Sequence, residues 1–344
     1  EEIARLYSYR RLPRHSPVWP QPGGLNARQL LRRHLRDVVV DTGALEAWTP
    51  TFGSDADFDL LHAGQPRVRV TNPLASDESV LRSTLVTGLV RAWAKNFERG
   101  IGDVMLAEFG IVFVHPDATS EPRLTRGGVG GSLTLALPRE NERLSILLAR
   151  PDDDAKSAVA LWSVIAERLG LADVAVRSSS EAPRGLHPTR AASLVDRTSG
   201  CLLGHVGEVD REFLDAITSV PSPRRLGLID LDLDALADRS VATRASSFVT
   251  LPSRYPSAVL DFAFVTPRQV NAHDLAHALR GASDLIESVT LFDVYGGAGL
   301  SEGTRSLAFN VRLSSVEHTL SEQEISKARG ALIDVAASLG AVLR

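Results

Sequence analysis

The sequence predicts an α+β chain in two parts: a strand-rich module, followed by a domain with the βαββαβ order of a ferredoxin-like fold. Three observations carry this. Stretches such as LAEFGIVFV and LIDLDLDAL in the first two-thirds are rich in strand-forming apolar residues, and the second alternates apolar and acidic side chains as a half-buried strand does. Beyond a polar linker at 239–250, the pattern changes to strand Ala258 to Val265, helix Asn271 to Leu279, strands Ile286 to Tyr295 and Arg305 to Leu313, helix Ser321 to Leu339 and short strand Ala341 to Leu343. That order places one sheet against two helices, and Ser321 with Glu324 forms a capping box that marks the second helix start. With 344 residues, 44% of them hydrophobic, each part is long enough to bury its own core.

The first part follows in order. Residues 1–9 read as the end of a helix, and Pro13, Pro17, Pro20 and Pro22 make an extended linker, so residues 1–20 are assigned to the end of a preceding domain. Asn26 and Gln29 form a capping box for a helix with Leu30, Leu31, Leu35, Val38 and Val39 on its apolar face, stopped at Gly43. Arg28, Arg32, Arg33 and Arg36 lie opposite, as a solvated face or an interface with acidic partners. Leu45 to Phe52 and Arg67 to Thr71 read as strands joined by a loop. Asn72-Pro73 ends the second. Leu81, Leu85, Leu89, Trp93 and Phe97 then recur at four-residue spacing, which predicts an amphipathic helix starting around 77–79 and closed by Gly100. Strands are expected at Asp103 to His115, Gly131 to Leu137 and Arg143 to Ala149. A helix Ala155 to Leu169 follows the favourable acids Asp152 to Asp154, and strands Cys201 to Glu208 and Arg225 to Leu233 complete the module.

Composition narrows the function. A net charge of −4 argues against gripping nucleic acid by bulk electrostatics. Lysine occurs only at Lys95, Lys156 and Lys327; the arginine excess suits phosphate recognition, but a codon-composition bias explains it more cheaply. No apolar run reaches the roughly 18 residues of a membrane span, and no charged-then-apolar leader opens the chain, so a cytoplasmic protein with no membrane partner is expected. Cys201, the only cysteine, excludes a disulfide framework and reads as a small buried hydrophobe. His187 has no spaced second ligand and reads as a hydrogen-bonded structural histidine. Gly127, Gly128, Gly130 and Gly131 lack the ending of a phosphate loop and read as a hairpin or disordered connection. Asp230, Asp232 and Asp234 lack the glycine and terminal glutamate of a calcium loop and read as the wet face of a strand and its turn.

The motifs NPL, SVLRSTL, GL and NFERG between Asn72 and Gly100 form one ordered block. EEIARLYSY precedes it, and GLHPTRAA, GHVGEVD, LDLDAL, PSRYPSAVLDFAFV, LFDVYGGAGLSEGTRSLAF and HTLSEQEI follow. Over essentially the whole chain this order resembles the C-terminal part of the bacterial phenylalanine-tRNA ligase beta subunit. The resemblance implies a non-catalytic, class II synthetase-like antiparallel sheet module at 21–240 and an anticodon-binding domain at 250–344. It implies the alpha subunit and tRNA(Phe) as partners in an alpha2beta2 assembly, with ATP used by the complex and not bound by this chain. Proofreading domains lie upstream in the family, so no hydrolysis of mischarged tRNA is expected. Glu1 and Glu2 resemble the paired glutamates that help hold a Mg2+ ion shared with the alpha subunit.

A class II catalytic site needs an arginine and a glutamate on adjacent strands. It also needs a glycine-rich strand leading into a helix that carries a second arginine. Glu108 has no arginine two residues before it, and Glu208 with Arg211 lacks the glycine run, so no catalytic residue is assigned. Alternation on the strand Arg305 to Leu313 places Leu307, Phe309, Val311 and Leu313 in the core and Ser306, Ala308, Asn310 and Arg312 outward. Arg254, Tyr255, Tyr295 and Arg305 lie at strand ends or in the Gly-rich hairpin. The expected RNA-binding set is therefore Arg254, Tyr255, Tyr295, Arg305, Ser306, Asn310 and Arg312. From Leu251 onward 8 basic residues face 10 acidic ones, so charge does not favour RNA binding; the motifs do. Arg10-Arg11-Leu12-Pro13 and Leu260-Asp261-Phe262 depart from the family pattern. The alternative is a diverged, free-standing paralogue acting as a protein-binding scaffold.

Overall fold

The computed structural model describes residues 1–13, 23–62, 65–116, 124–128, 131–135, 137–171, 173–178, 183–220, 224–237, 253–297 and 299–344. A seven-stranded sheet organises the first part. Its strands are β1 (Leu45–Glu46), β4 (Met105–Val114), β7 (Arg139–Leu148), β8 (Val174–Ser178), β9 (Leu186–Asp196), β10 (Leu202–Val209) and β11 (Gly227–Asp232). The spatial order is β1-β4-β7-β11-β10-β9-β8. Every pair is antiparallel except β1 with β4. One face packs on α2 (Ala27–Asp41) and α5 (Ala155–Arg168) through Leu35, Val38, Trp162 and Ile165. The other is partly covered by α4 (Val86–Phe97) and α6 (Arg211–Ile217) through Leu89, Trp93, Phe213 and Leu214.

The C-terminal domain follows its predicted order. Strands β12 (Ala258–Pro267), β13 (Ile286–Tyr295), β14 (Thr304–Leu313) and β15 (Val342–Leu343) form an antiparallel sheet in the order β13-β14-β12-β15. Phe262, Phe264, Leu307, Phe309 and Val311 pack on α7 (Ala272–Arg280) and α8 (Glu322–Ser338). The start of α7 ties the domain to β8, the last strand of the large sheet. Asn271 Nδ2 donates to Val176 O at 2.8 Å, His273 Nε2 to Val174 O at 3.1 Å, and Arg197 pairs with Asp274 at 2.5 Å. Burial pushes His273 below the usual histidine range, although its bond to Val174 opposes this.

Several sequence expectations are corrected. The helix after Asn72-Pro73 does not start at 77–79. Ser76–Glu78 is a single 3-10 turn, and β3 (Val80–Leu81) pairs with β2 (Phe52–Gly53). Only at Val86, whose N–H bonds Thr84 Oγ1 at 3.1 Å, does α4 begin. Leu81 belongs to a strand because its backbone partners are across the chain, which side-chain spacing does not reveal. The expected strand at 67–71 reduces to a bridge between Arg69 and Val80. The loop before it holds α3 (Asp55–His62), where Ser54 Oγ accepts from Asp57 N at 3.1 Å. Strands β8 and β9 and helix α6 were not anticipated. Leu30 stays 41% exposed. Cys201 is exposed, not buried. His187 lies in β9 and accepts from Thr189 N at 3.2 Å, in keeping with a structural role. The glycine group pairs Gly128 with Gly131 between β5 (Leu124–Gly128) and β6 (Gly131–Leu135), a hairpin. Most of the expected linkers at 13–22 and 239–250 lies outside the described residues.

Candidate functional site

Register decides which side chains share a face, because directly opposed residues on neighbouring strands point the same way. In the C-terminal sheet, Asp261, Asn310 and Thr290 are opposed across β12, β14 and β13, and so are Val265, Ser306 and Tyr295. Val259, Arg312 and Ser288 make a third row. These rows lie on the face away from Phe262, Phe309 and the helices. Asn310 Nδ2 donates to Asp261 Oδ1 at 2.7 Å, and Arg312 Nε to Glu287 Oε2 at 3.0 Å. Tyr295 is 41% exposed. A Cβ at Gly297 would stand 2.5 Å from the Tyr295 hydroxyl, so glycine is what lets that ring lie across the hairpin. The face offers a ring for stacking and an amide–carboxylate pair for a base edge. It is not basic.

The structure gathers four of the seven expected RNA-binding residues on this face: Tyr295, Ser306, Asn310 and Arg312. Ser306 is buried there, so it shapes the floor. Arg254 and Tyr255 precede β12, at the opposite end of the sheet from Tyr295, roughly 30 Å away for a ten-residue strand. Arg305 lies on the core side. Its guanidinium donates to Val270 O at 2.9 Å, and its Nε is buried without a partner among the described residues. It shares parity with Leu307 and Phe309, which is the physical reason it cannot share a face with Asn310. Asp261, which completes the Asn310 pair, was missed because only the register brings it there.

The expected metal pair fares differently. Glu1 and Glu2 open α1 (Glu2–Tyr7), and Glu2 is held by Arg5 at 2.7 Å. Among the described residues no group of three or more His, Cys, Asp or Glu is placed to hold a metal. Two carboxylates, one already neutralised, do not fit a hard-cation site on their own, since Mg2+ demands several oxygen ligands in octahedral array.

The module shows ion pairs that the sequence reading did not see. Arg190 grips Glu208 through two bonds of 2.8 and 2.9 Å between adjacent strands β9 and β10. Arg82 pairs with buried Glu108 at 2.7 Å, and Thr49 donates to the same carboxylate. The expectation that no arginine–glutamate pair spans adjacent strands is therefore corrected. Asp230 accepts from Arg143 and Ser145, Asp232 caps the following turn, and Asp234 pairs with Arg28, so these are partnered acids and not a wet face. On α2, Arg28 and Arg32 reach Glu142, and Arg36 reaches Glu46. Most of that helix's arginines are thus spent within the chain, which neither sequence alternative foresaw.

A polar row crosses the large sheet. Glu108, Ser145, Asp230, His205, Ser193 and Arg177 are successively opposed over β4, β7, β11, β10, β9 and β8. It lies on the face away from α2 and α5. Burial holds His205 below the usual histidine range; Asp230 opposes this and Arg143 adds to it. Burial works against the Arg143 charge, yet Asp230 and Asp232 raise its pKa.

Residues 12–224 match the family model described as the phenylalanyl tRNA synthetase beta chain CLM domain, and residues 253–344 match the ferredoxin-fold anticodon binding domain. The chain belongs to the phenylalanyl-tRNA synthetase beta chain family. Among curated relatives, the phenylalanine–tRNA ligase beta subunit of Thermobifida fusca is 34% identical over 370 residues, covering 100% of this chain and 43% of that one. The corresponding subunit of Streptomyces avermitilis is 34% identical over 373 residues with the same coverage. That of Syntrophus aciditrophicus is 31% identical over 357 residues, 97% of this chain and 40% of that one. The chain thus spans about two fifths of the length of the curated relatives it matches. A solved pyrrolysyl tRNA synthetase from Desulfitobacterium hafniense aligns at a TM-score of 0.45 and 13% identity, over 65% of this chain and 73% of that one, too distant to carry an argument. Among the described residues no helix is long and apolar enough to cross a membrane.

Proposed function

We propose that this chain works as part of a phenylalanine–tRNA ligase beta subunit, its C-terminal sheet contacting the anticodon region of tRNA(Phe) while the module docks the catalytic alpha subunit. The observation that carries this is the succession of two family matches on one chain, the second coinciding with a sheet whose outer face presents Tyr295 and the Asn310–Asp261 pair. Docking of the module is supported by large apolar side chains turned to solvent, with Trp48 86% exposed and Leu74 fully so. In this reading the ligase reaction joins phenylalanine to tRNA at the expense of ATP on the alpha chain. This chain positions RNA and partner in an alpha2beta2 assembly in the cytoplasm.

The test is binding of the purified chain to tRNA(Phe), with and without the alpha subunit, across a salt series. The proposal expects a salt-sensitive complex that the alpha subunit strengthens. Alpha-subunit binding with no tRNA binding would leave a scaffold, and binding to neither would remove the proposed function.

A further inference from the structure

The polar row floors a cavity lined by residues of the module alone, none of them on the proposed RNA face. It holds about 210 Å³, with Asp230, His205 and Leu228 of the sheet beneath, the end of α3 on one side and the Pro183–Leu186 turn on another. Its internal charges are spent, because Arg143 and Asp230 are bound to one another. Two polar groups are left over. His62 Nε2 is buried with no hydrogen-bond partner among the described residues. Arg184 stands at the exposed rim, close enough for its charge to act on His62, and has no carboxylate partner among the described residues. Burial first, and Arg184 second, keep His62 below the usual histidine range. The ring is therefore neutral near pH 7, and its ε-protonated tautomer would present an unbonded N–H to the cavity. The remaining wall is mostly apolar, with Leu61, Val86, Leu186 and Leu228 beside the hydroxyls of Ser83 and Thr84, the latter bonded to Val86 N.

We propose that this cavity binds a small carboxylate with a short apolar chain, its oxygens between the His62 Nε2–H and the Arg184 guanidinium and its chain against Leu61, Val86, Leu186 and Leu228. One cation and one neutral donor match a single negative charge spread over two oxygens. A phosphate dianion would leave charge unmatched and turn oxygens toward leucine. The volume lies below that of pockets for drug-sized ligands, so a nucleotide is excluded and a chain of a few carbons fits.

Hexanoate tests this on the whole chain, with acetate and inorganic phosphate alongside, followed by the His62 imidazole resonances and by calorimetry. Hexanoate is expected to shift those resonances saturably and to raise the His62 pKa, since a bound anion favours the imidazolium. Acetate, lacking four methylenes at about 0.8 kcal/mol each, binds more than about tenfold weaker. Arg184→Ala weakens hexanoate by about tenfold, the worth of one charge-assisted bond, without lowering the melting temperature of the free chain, because Arg184 is exposed. Equal hexanoate binding in Arg184→Ala, phosphate binding tighter than hexanoate, or no saturable shift would each overturn the assignment. None of these readouts depends on tRNA or the alpha subunit.

Discussion

The two sheets of this chain solve the problem of polar groups in opposite ways. Among the described residues, the seven-stranded sheet and its surroundings bury five carboxylates, Asp57, Glu108, Glu142, Asp196 and Glu208, whereas the C-terminal domain buries none and hides only Thr266 and Ser306. Four of those five module carboxylates are paired with arginine, from Arg91, Arg82, Arg28 with Arg32, and Arg190. A buried pair adds little net stability, but breaking it strands a charge. The module thus adds matched charges to its apolar cores, whereas the domain relies on interlocking phenylalanines and leucines.

The sharpest way to break this contrast is Glu108→Ala. It leaves Arg82, with a side chain only 12% exposed, bonded to neutral oxygens of Thr49 and Ile111 and to no carboxylate among the described residues, and should cost the module about 3–5 kcal/mol. All four tryptophans lie before residue 163 and the C-terminal domain holds Tyr255 and Tyr295, so tryptophan fluorescence in a urea titration reports the module. The tryptophan transition should move while the domain, followed by hydrogen exchange of its own amides, keeps its stability. Phe309→Ala makes the reciprocal test. Deleting a fully buried ring beside Phe264 should cost the domain about 3–5 kcal/mol and leave the tryptophan transition in place. If either variant moved both transitions equally, the two parts would share one cooperative unit and the contrast would fail.

Smaller effects sharpen the account. Ser321 caps α8 by accepting from Glu324 N, and Glu324 returns bonds to Ser321. Ser321→Ala should lower domain stability by about 1 kcal/mol, read by hydrogen exchange of the domain's amides. The hydrogen bonds from Ser321, aided by His318, hold Glu324 down at about 2. A lowered carboxylate pKa stabilises the fold fully above its unfolded value near 4.5 and loses that contribution as pH falls toward 2. Domain stability should therefore decline between those values in the parent more steeply than in Glu324→Gln, as followed by acid titration of circular dichroism.

How legible each part was follows from the same contrast. The pattern of the C-terminal domain predicted Ile286–Tyr295 as the structure has it, and alternation along the next strand predicted its buried set of Leu307, Phe309, Val311 and Leu313. Arg305 stands at a strand end as expected, and its side of the sheet was readable too, since it shares parity with Leu307. The module was less legible. LHPTRAASLVD carries a proline and no clean alternation, and it is a strand because β8 and β10 pair with it on both sides. The row from Glu108 to Arg177 draws one residue from each of six separated segments. Register is a long-range property, so no local pattern announces it.

The most direct test of the central claim, that the outer face of the four-stranded sheet is the RNA surface, is the affinity of Tyr295→Ala for tRNA(Phe) over a salt series. Losing a stacking ring is worth about 1–3 kcal/mol, so affinity should fall by about tenfold or more. The salt slope should stay unchanged, because no charge is removed. An unaltered affinity in a folded Tyr295→Ala chain would contradict the claim and move RNA contact off this sheet.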